Sequence, residues 1–224
     1  MGLNKRLIST ASESIPDLGL IFNLDAQASS SAVDQTGNKT SFTNNATYVS
    51  GSPSYWDFNG GQYMLTNTSG PGFNRNGLYS VELWVRPDAV NVDETFLNIH
   101  DNNNSHARFG LRSTSQWMKD EYTPSGGNGY GGTPTANVWQ HVTWVRSAHN
   151  TSNGFKVYKN GTLNVSVQSE NAGSGQIDKY YIGQIYNNGQ RYNGRIGHVK
   201  IYTTALTAEQ VLGEYNNTKS DYGL

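Results

Sequence analysis

Few side chains in this 224-residue chain stand where they could do covalent chemistry. Retaining glycosidic hydrolysis needs two carboxyl groups about 5–5.5 Å apart, one an acid and one a nucleophile. Asp93-Glu94 and Asp120-Glu121 are adjacent pairs, and neighbours along a strand point to opposite faces. Glu82 stands alone on its run. His141 lies among packing residues with no nucleophile beside it, so a neutral, hydrogen-bonded imidazole accounts for it. The run His100-Asp101-Asn102-Asn103-Asn104-Ser105-His106 offers two imidazoles and a carboxylate to a divalent metal. The reading preferred is a polar turn between strands, because Asp and Asn favour turn conformations. No cysteine is present, which removes disulfides, thiolate metal sites and a Cys nucleophile together.

Recognition chemistry is better supplied. Sugar rings present apolar C–H faces that stack on aromatic rings, while amides and hydroxyls bond the rim. Tyr122 and Tyr130 fall in a Gly-rich stretch from Asp120 to Asn137, read as a loop. Asn187, Asn188, Arg191 and Tyr192 fall in a second polar loop. These six are the candidate glycan-binding residues. Trp84, Trp117, Trp139 and Trp144 read as packing residues, because aromatics dominate burial.

The elements that must position them are strands. Charged residues form only 15% of the chain and glycines number 25, a composition that suits short strands and turns rather than helices. Net charge is −1 and no Lys/Arg cluster occurs, which argues against nucleic-acid binding. No run approaches the ~20 apolar residues of a membrane helix, and Lys5 and Arg6 precede no apolar stretch, so no signal peptide is expected. Sequons such as Asn67-Thr68-Ser69 then read as polar turns.

Tyr79 to Arg86 alternates Val81, Leu83 and Val85 with Glu82, Trp84 and Arg86, the period of a strand, with the three aliphatics toward the core. Val138 to Arg146 does the same. Asn160-Gly161 between Lys156-Val157-Tyr158 and Leu163-Asn164-Val165 predicts a hairpin with a type I′ turn. Further strands are predicted at Leu20–Leu24, Tyr55–Phe58, Gln62–Leu65, Phe96–His100, Arg108–Leu111, Tyr180–Gln184 and Arg195–Tyr202. Thr207 and Gln210 form a capping box, flanked by the Leu206/Val211 staple, and predict one short helix near the C-terminus. Val211, Leu212 and Tyr215 fall on one face of it, the helix should draw its stability from packing on the sheets, and it should close one end of the fold. Residues 1–17 lack periodicity and read as an arm carrying Leu3, Leu7, Ile8 and Ile15, ahead of a single domain spanning 18–224.

Four segments carry a family likeness. Leu20-Ile21-Phe22-Asn23-Leu24-Asp25 is followed by Asp34-Gln35-Thr36-Gly37-Asn38. Tyr79 to Pro87 ends in Trp-Val-x-Pro. Trp139-Gln140-His141-Val142 leads to Tyr158-Lys159-Asn160-Gly161. Tyr192-Asn193-Gly194-Arg195-Ile196 precedes the terminal helix. In this order the chain resembles the laminin G-like branch of the concanavalin A-like lectin/glucanase superfamily.

The resemblance implies an all-β, two-sheet antiparallel jelly-roll sandwich with one short C-terminal helix. It implies a test for catalysis, since the glucanases carry Glu-x-Asp-x-x-Glu on one strand, and that spacing is missing here. It also implies calcium as the one cation to consider, bound through loop oxygens with Asp34 and Asn38 as candidates. Against this, relatives' Gly-x-Ile-Asp is replaced by Gly194-Arg195-Ile196-Gly197. Chains opening like Gly19-Leu20-Ile21-Phe22-Asn23-Leu24-Asp25 are common among tailed-phage virion proteins. The expectation is therefore a non-enzymatic virion structural protein, on the capsid or in the tail or fibre. It would be assembled in the host cytoplasm with virion proteins or with its own copies as a homo-oligomer, and the arm would dock on a neighbour. The alternative is a carbohydrate-binding module for a host surface polysaccharide, and a third reading is a glycan-degrading enzyme.

Overall fold

Strand Tyr79–Pro87 shows how the period-two pattern becomes a layer. Val81, Leu83 and Val85 are fully buried between two sheets, while Glu82 and Trp84 on the other side are buried beneath a helix. The computed structural model describes residues 19–66, 70–101, 106–122, 129–169 and 176–224. The arm residues Leu3, Leu7, Ile8 and Ile15 lie outside these.

In chain order the strands begin with β1 (Leu20–Asp25), β2 (Phe42–Asn44), β3 (Thr47–Val49), β4 (Tyr55–Asn59), β5 (Met64–Thr66) and β6 (Phe73–Asn74). Then come β7 (Tyr79–Pro87), β8 (Glu94–His100), β9 (His106–Arg112), β10 (Gln116–Tyr122) and β11 (Gly129–Gly131). The last are β12 (Gln140–Arg146), β13 (Thr151–Lys159), β14 (Thr162–Ser169), β15 (Gln176–Ile177), β16 (Lys179–Ile182) and β17 (Asn193–Tyr202). Helix α1 (Ala208–Thr218) and a 3₁₀ turn (Lys219–Tyr222) end the chain.

One sheet has eight strands in the order β14-β13-β12-β7-β17-β4-β3, with β1 also paired to β17; the other runs β11-β10-β9-β8-β16-β5-β2. Their pairings are antiparallel. Phe22, Trp56, Phe96, Phe109, Trp117, Trp144 and Tyr180 fill the space between them. The fold is thus a two-sheet antiparallel jelly-roll sandwich with one short C-terminal helix. The hairpin turn is as predicted, with Asn160 and Gly161 at φ 51° and 75°, the left-handed region that a type I′ turn requires.

Two local expectations need correction. The stretch from Asp120 to Asn137 is not one loop: β10 continues to Tyr122 and β11 pairs with it, Met118 opposite Tyr130. Glycine is needed there because a Cβ on Gly131 would stand 2.7 Å from Val165. Leu212 is 44% exposed, since the helix rests on the sheet through Val211 and Glu214. The helix also lies across the outer face of the eight-stranded sheet instead of closing an end. There Tyr222 stacks on Trp84 at 4.1 Å, and Trp84 Nε1 donates to Thr218 Oγ1 at 2.8 Å. The capping box itself is present, with Thr207 and Gln210 exchanging side chain-to-backbone bonds.

Under that helix sits a buried ionic cluster. Lys200 Nζ donates to Glu214 Oε2 at 2.6 Å and lies 3.9 Å from Glu82 Oε1, while His141 Nε2 is 3.2 Å from the same oxygen. Burial acts to raise the Glu82 carboxyl, but Lys200 and His141 outweigh it and bring it down to about 2. His141 thus lies buried on the helix-bearing face beside the Glu82 carboxyl, a partner that the sequence reading did not name.

Candidate functional site

The outer face of the seven-stranded sheet is built from the residues that alternate with the core. Ile99 of β8 and Ala107 and Phe109 of β9 point inward, so Asn98, His100, His106 and Arg108 point outward. Register sets them in a band across the strands. Tyr181 lies opposite Asn98 and Lys179 opposite His100; Asn98 faces Arg108, and Arg108 faces Asp120. One strand further, Tyr130 stands beside Met118. Gly110 belongs to the same row, and a Cβ there would fall 2.0 Å from the Glu94 carbonyl oxygen.

The loop between β16 and β17 reaches over this band. Tyr186 donates its backbone N–H to Asn98 Oδ1 at 3.1 Å and lays its ring on His100 at 4.2 Å and near His106 at 5.5 Å. Arg108 and Asp120 are joined at 2.5 Å. Arg112 covers the Tyr130 ring at 4.7 Å and reaches Asp93 at 3.6 Å. Burial pushes the His106 imidazole down to about 4, against the opposing pull of Asp120. Burial likewise lowers His100, against Asp101. Both rings are thus neutral at pH 7, each with one donor and one acceptor nitrogen. His100 is only 7% exposed, and neither of its ring nitrogens has a hydrogen-bond partner among the described residues.

Asn98, His100, His106 and Arg108 are themselves buried in this arrangement, so the groups it turns toward solvent are the half-buried Tyr130, Tyr181, Tyr186 and Asp120. Such a surface holds a polar ring by stacking and by hydrogen bonds to its hydroxyls. It offers little to hydrolysis. Asp120 is committed to Arg108, and Glu82 is sealed beneath the helix. Glu94, raised by burial to about 7, has the pKa of a general acid but is held by the Asn193 backbone with Asp88 nearby, apart from the band. Among the described residues no three His, Cys, Asp or Glu side chains come together as metal ligands.

The six glycan candidates divide. Tyr130 lies on the band. Tyr122 is in register with His106, and its side chain lies outside the described residues. Asn187, Asn188 and Arg191 are exposed on the same loop as Tyr186; Gln184 Nε2 donates to Asn188 Oδ1 and Arg191 Nε to the Asn188 carbonyl. Tyr192 is a correction. It is fully buried, edge-on to Phe96 at 4.8 Å, and donates its hydroxyl to the Arg195 carbonyl. A ring so enclosed cannot stack on a ligand. The chain reading missed Asn98, Arg108, Asp120, Tyr181 and Tyr186. The available signal was the alternation of His106, Arg108 and Gly110 with Ala107, Phe109 and Leu111.

Asp34 and Asn38 do not present free oxygens. Asp34 is 2% exposed, and its carboxylate accepts from the backbone N–H groups of Asn23, Thr36 and Lys39 at 2.9, 3.1 and 2.9 Å and from the Thr36 hydroxyl. Asn38 Nδ2 donates to the Ile21 carbonyl at 3.0 Å. The pair ties its turn to β1, and a cation would have to displace those donors.

Comparison with known proteins bears on the whole fold. Domain 4 of AbnA, a GH43 extracellular arabinanase from Geobacillus stearothermophilus solved with arabinotriose, superposes with a TM-score of 0.65 at 20% identity. The match covers 87% of this chain and 97% of that one. The binding domain of Paraclostridial Mosquitocidal Protein 1 gives 0.68 at 16% identity, over 89% and 52%. That of botulinum neurotoxin serotype G gives 0.69 at 13%, over 90% and 51%. The chain thus spans about half the length of these toxin binding domains. At such identities the likeness is one of fold. No curated protein matches the sequence. A laminin G-type family model, described as the concanavalin A-like lectin/glucanases superfamily, matches residues 58–212. That stretch is well over half of the chain and runs from β4 into α1, and the chain belongs to this superfamily.

Proposed function

We propose that the chain is a non-catalytic carbohydrate-binding module whose contact surface is the outer face of the seven-stranded sheet. The observation that carries this is the band in which the half-buried Tyr181 and Asp120 flank the buried Asn98, His100 and Arg108, with the half-buried Tyr186 laid over it. Stacking rings and a positioned Arg–carboxylate pair are what an oligosaccharide's alternating apolar and hydroxyl-bearing faces require. The fold neighbour solved with arabinotriose supports the reading, as a sandwich of this kind that holds a sugar.

The test is calorimetric titration of the full chain with arabinotriose and a panel of neutral and acidic oligosaccharides. Arg108→Ala takes away the partner that fixes the half-buried Asp120 in place and should weaken the binding sugar about tenfold, a loss of ~1.4 kcal/mol. Incubation with the same glycans should release no reducing ends. Binding that survives both Arg108→Ala and Tyr186→Ala unchanged would defeat the proposal.

A particle-borne setting is compatible with this surface and rests on the opening strand, Gly19 to Asp25. On a phage particle, a sugar-binding face would serve attachment to a host polysaccharide, uniting the structural and recognition roles. Co-purification of the chain with assembled particles tests that setting; its absence from them would remove the virion role and leave the sugar-binding face as it is.

A further inference from the structure

An open groove of about 470 Å³ lies between the β13–β14 turn and the first turns of α1, away from the sugar-binding band. Tyr158 is buried at its base, and Leu163 and Leu212 are 51% and 44% exposed along it. Lys156 and Glu209 also line it, one on β13 and one on the helix. Gly161 brings the turn against the helix, where a Cβ would stand 2.8 Å from Leu212 Cδ1. Two half-exposed leucines beside one groove are an apolar surface that a covering segment would stabilise.

We propose that this groove seats the amino-terminal segment of the same chain, residues 1–18. The place where the described chain starts is the first argument. Leu20 packs on the cluster formed by Val145, Tyr158, Tyr202, Leu206 and Val211, and Tyr158 is shared between that cluster and the groove. Eighteen residues reach about 59–65 Å when extended, so length does not restrict the path. Chemistry is the second argument. The segment carries Leu3, Leu7, Ile8 and Ile15 for the leucine-lined surface, Lys5 and Arg6 to meet Glu209, and Glu13 to meet Lys156. Tethering is the third: a segment joined to the fold beside its site competes at a millimolar effective concentration, which favours a chain's own segment over a second copy's.

The absence of cysteine makes the test direct. Ser9→Cys gives the full chain a single thiol, to which a nitroxide label is attached. The amides of Gly161, Thr162, Leu163 and Leu212 should lose most of their NMR intensity, while those of Asn98 and Arg108 on the opposite sheet should keep theirs. Leu212→Glu, at an exposed helix position, should restore the lost intensity without changing the melting temperature by more than a few degrees. Mixing isotope-labelled chains lacking the thiol with spin-labelled, unlabelled chains should give no broadening. Broadening only in that mixture would mean that a second copy's segment occupies the groove, and overturns the proposal. Broadening at neither place, or broadening that Leu212→Glu leaves intact, overturns it too. Sugar binding at the other sheet is read separately and need not change in any of these outcomes.

Discussion

Glu82→Gln should expose the electrostatic latch that fastens the C-terminal helix. The carboxyl of Glu82 is 1% exposed and stands between His141 at 3.2 Å and Lys200 at 3.9 Å. Its ionised form is favoured in the fold, with the pKa brought from 4.5 to about 2. At ~1.36 kcal/mol per pKa unit, that difference corresponds to about 3 kcal/mol of stability at neutral pH. Glutamine copies the shape of the protonated carboxyl, so the substitution should cost about 3 kcal/mol at pH 7. The size agrees with the ~3–5 kcal/mol typical of breaking one partner out of a buried ion pair. Because the folded pKa is depressed, the contribution is complete above pH 4.5 and disappears as pH falls toward 2. By pH 3 the penalty should shrink to about 1 kcal/mol. Urea unfolding followed by tryptophan fluorescence, wild type against variant at pH 7 and pH 3, measures both numbers. His106 and His198 also destabilise the fold in acid, since burial holds them at about 4 and about 3, but both proteins contain them. A loss under about 1 kcal/mol at pH 7, or an equal loss at both pH values, would refute the reasoning.

Trp84→Ala removes the stack on Tyr222 and the bond to Thr218 and should cost about 3–5 kcal/mol by urea unfolding, with proteolytic cleavage appearing first at the C-terminal turn. Glu94→Gln should act in the opposite direction: burial raises this carboxyl to about 7, so wild-type stability is complete below pH 4.5 and falls as pH rises through 7. The variant should gain about 1–3 kcal/mol at pH 8 and nothing at pH 4 in paired thermal melts. Asp34→Ala orphans the backbone donors of Asn23, Thr36 and Lys39 and should cost about 3 kcal/mol, while millimolar calcium should leave the wild-type melting temperature unchanged; a rise proportional to log calcium would show a site.

The legible parts of the chain were those where local chemistry and tertiary packing agree. Val81, Leu83 and Val85 alternate because one face meets the core, and Asn160-Gly161 turns because only φ > 0 closes that hairpin. Thr207 and Gln210 announce a helix start because they satisfy each other's backbone. Legibility failed where position depends on a partner distant in the chain. Tyr192 has the composition of a polar loop around it, and only the approach of Phe58 and Phe96 makes it a core residue. Asp120, Glu121 and Tyr122 look like loop because a Gly-rich stretch follows them, yet β9 supplies their ladder and Arg108 neutralises Asp120. The site itself is a register property. Asn98, Arg108 and Asp120 come from three strands, and no spacing along the chain announces that they are neighbours.

The claim that this face binds sugar is met most directly by residue-resolved NMR. The isotope-labelled chain would be titrated with arabinotriose and then with each member of the oligosaccharide panel. The account predicts that at least one sugar shifts Asn98, His100, Arg108, Asp120 and Tyr186 saturably, while Glu82, Trp84 and Glu214 beneath the helix stay still. Shifts that saturate elsewhere on the molecule, or a panel that moves none of these residues, would contradict it.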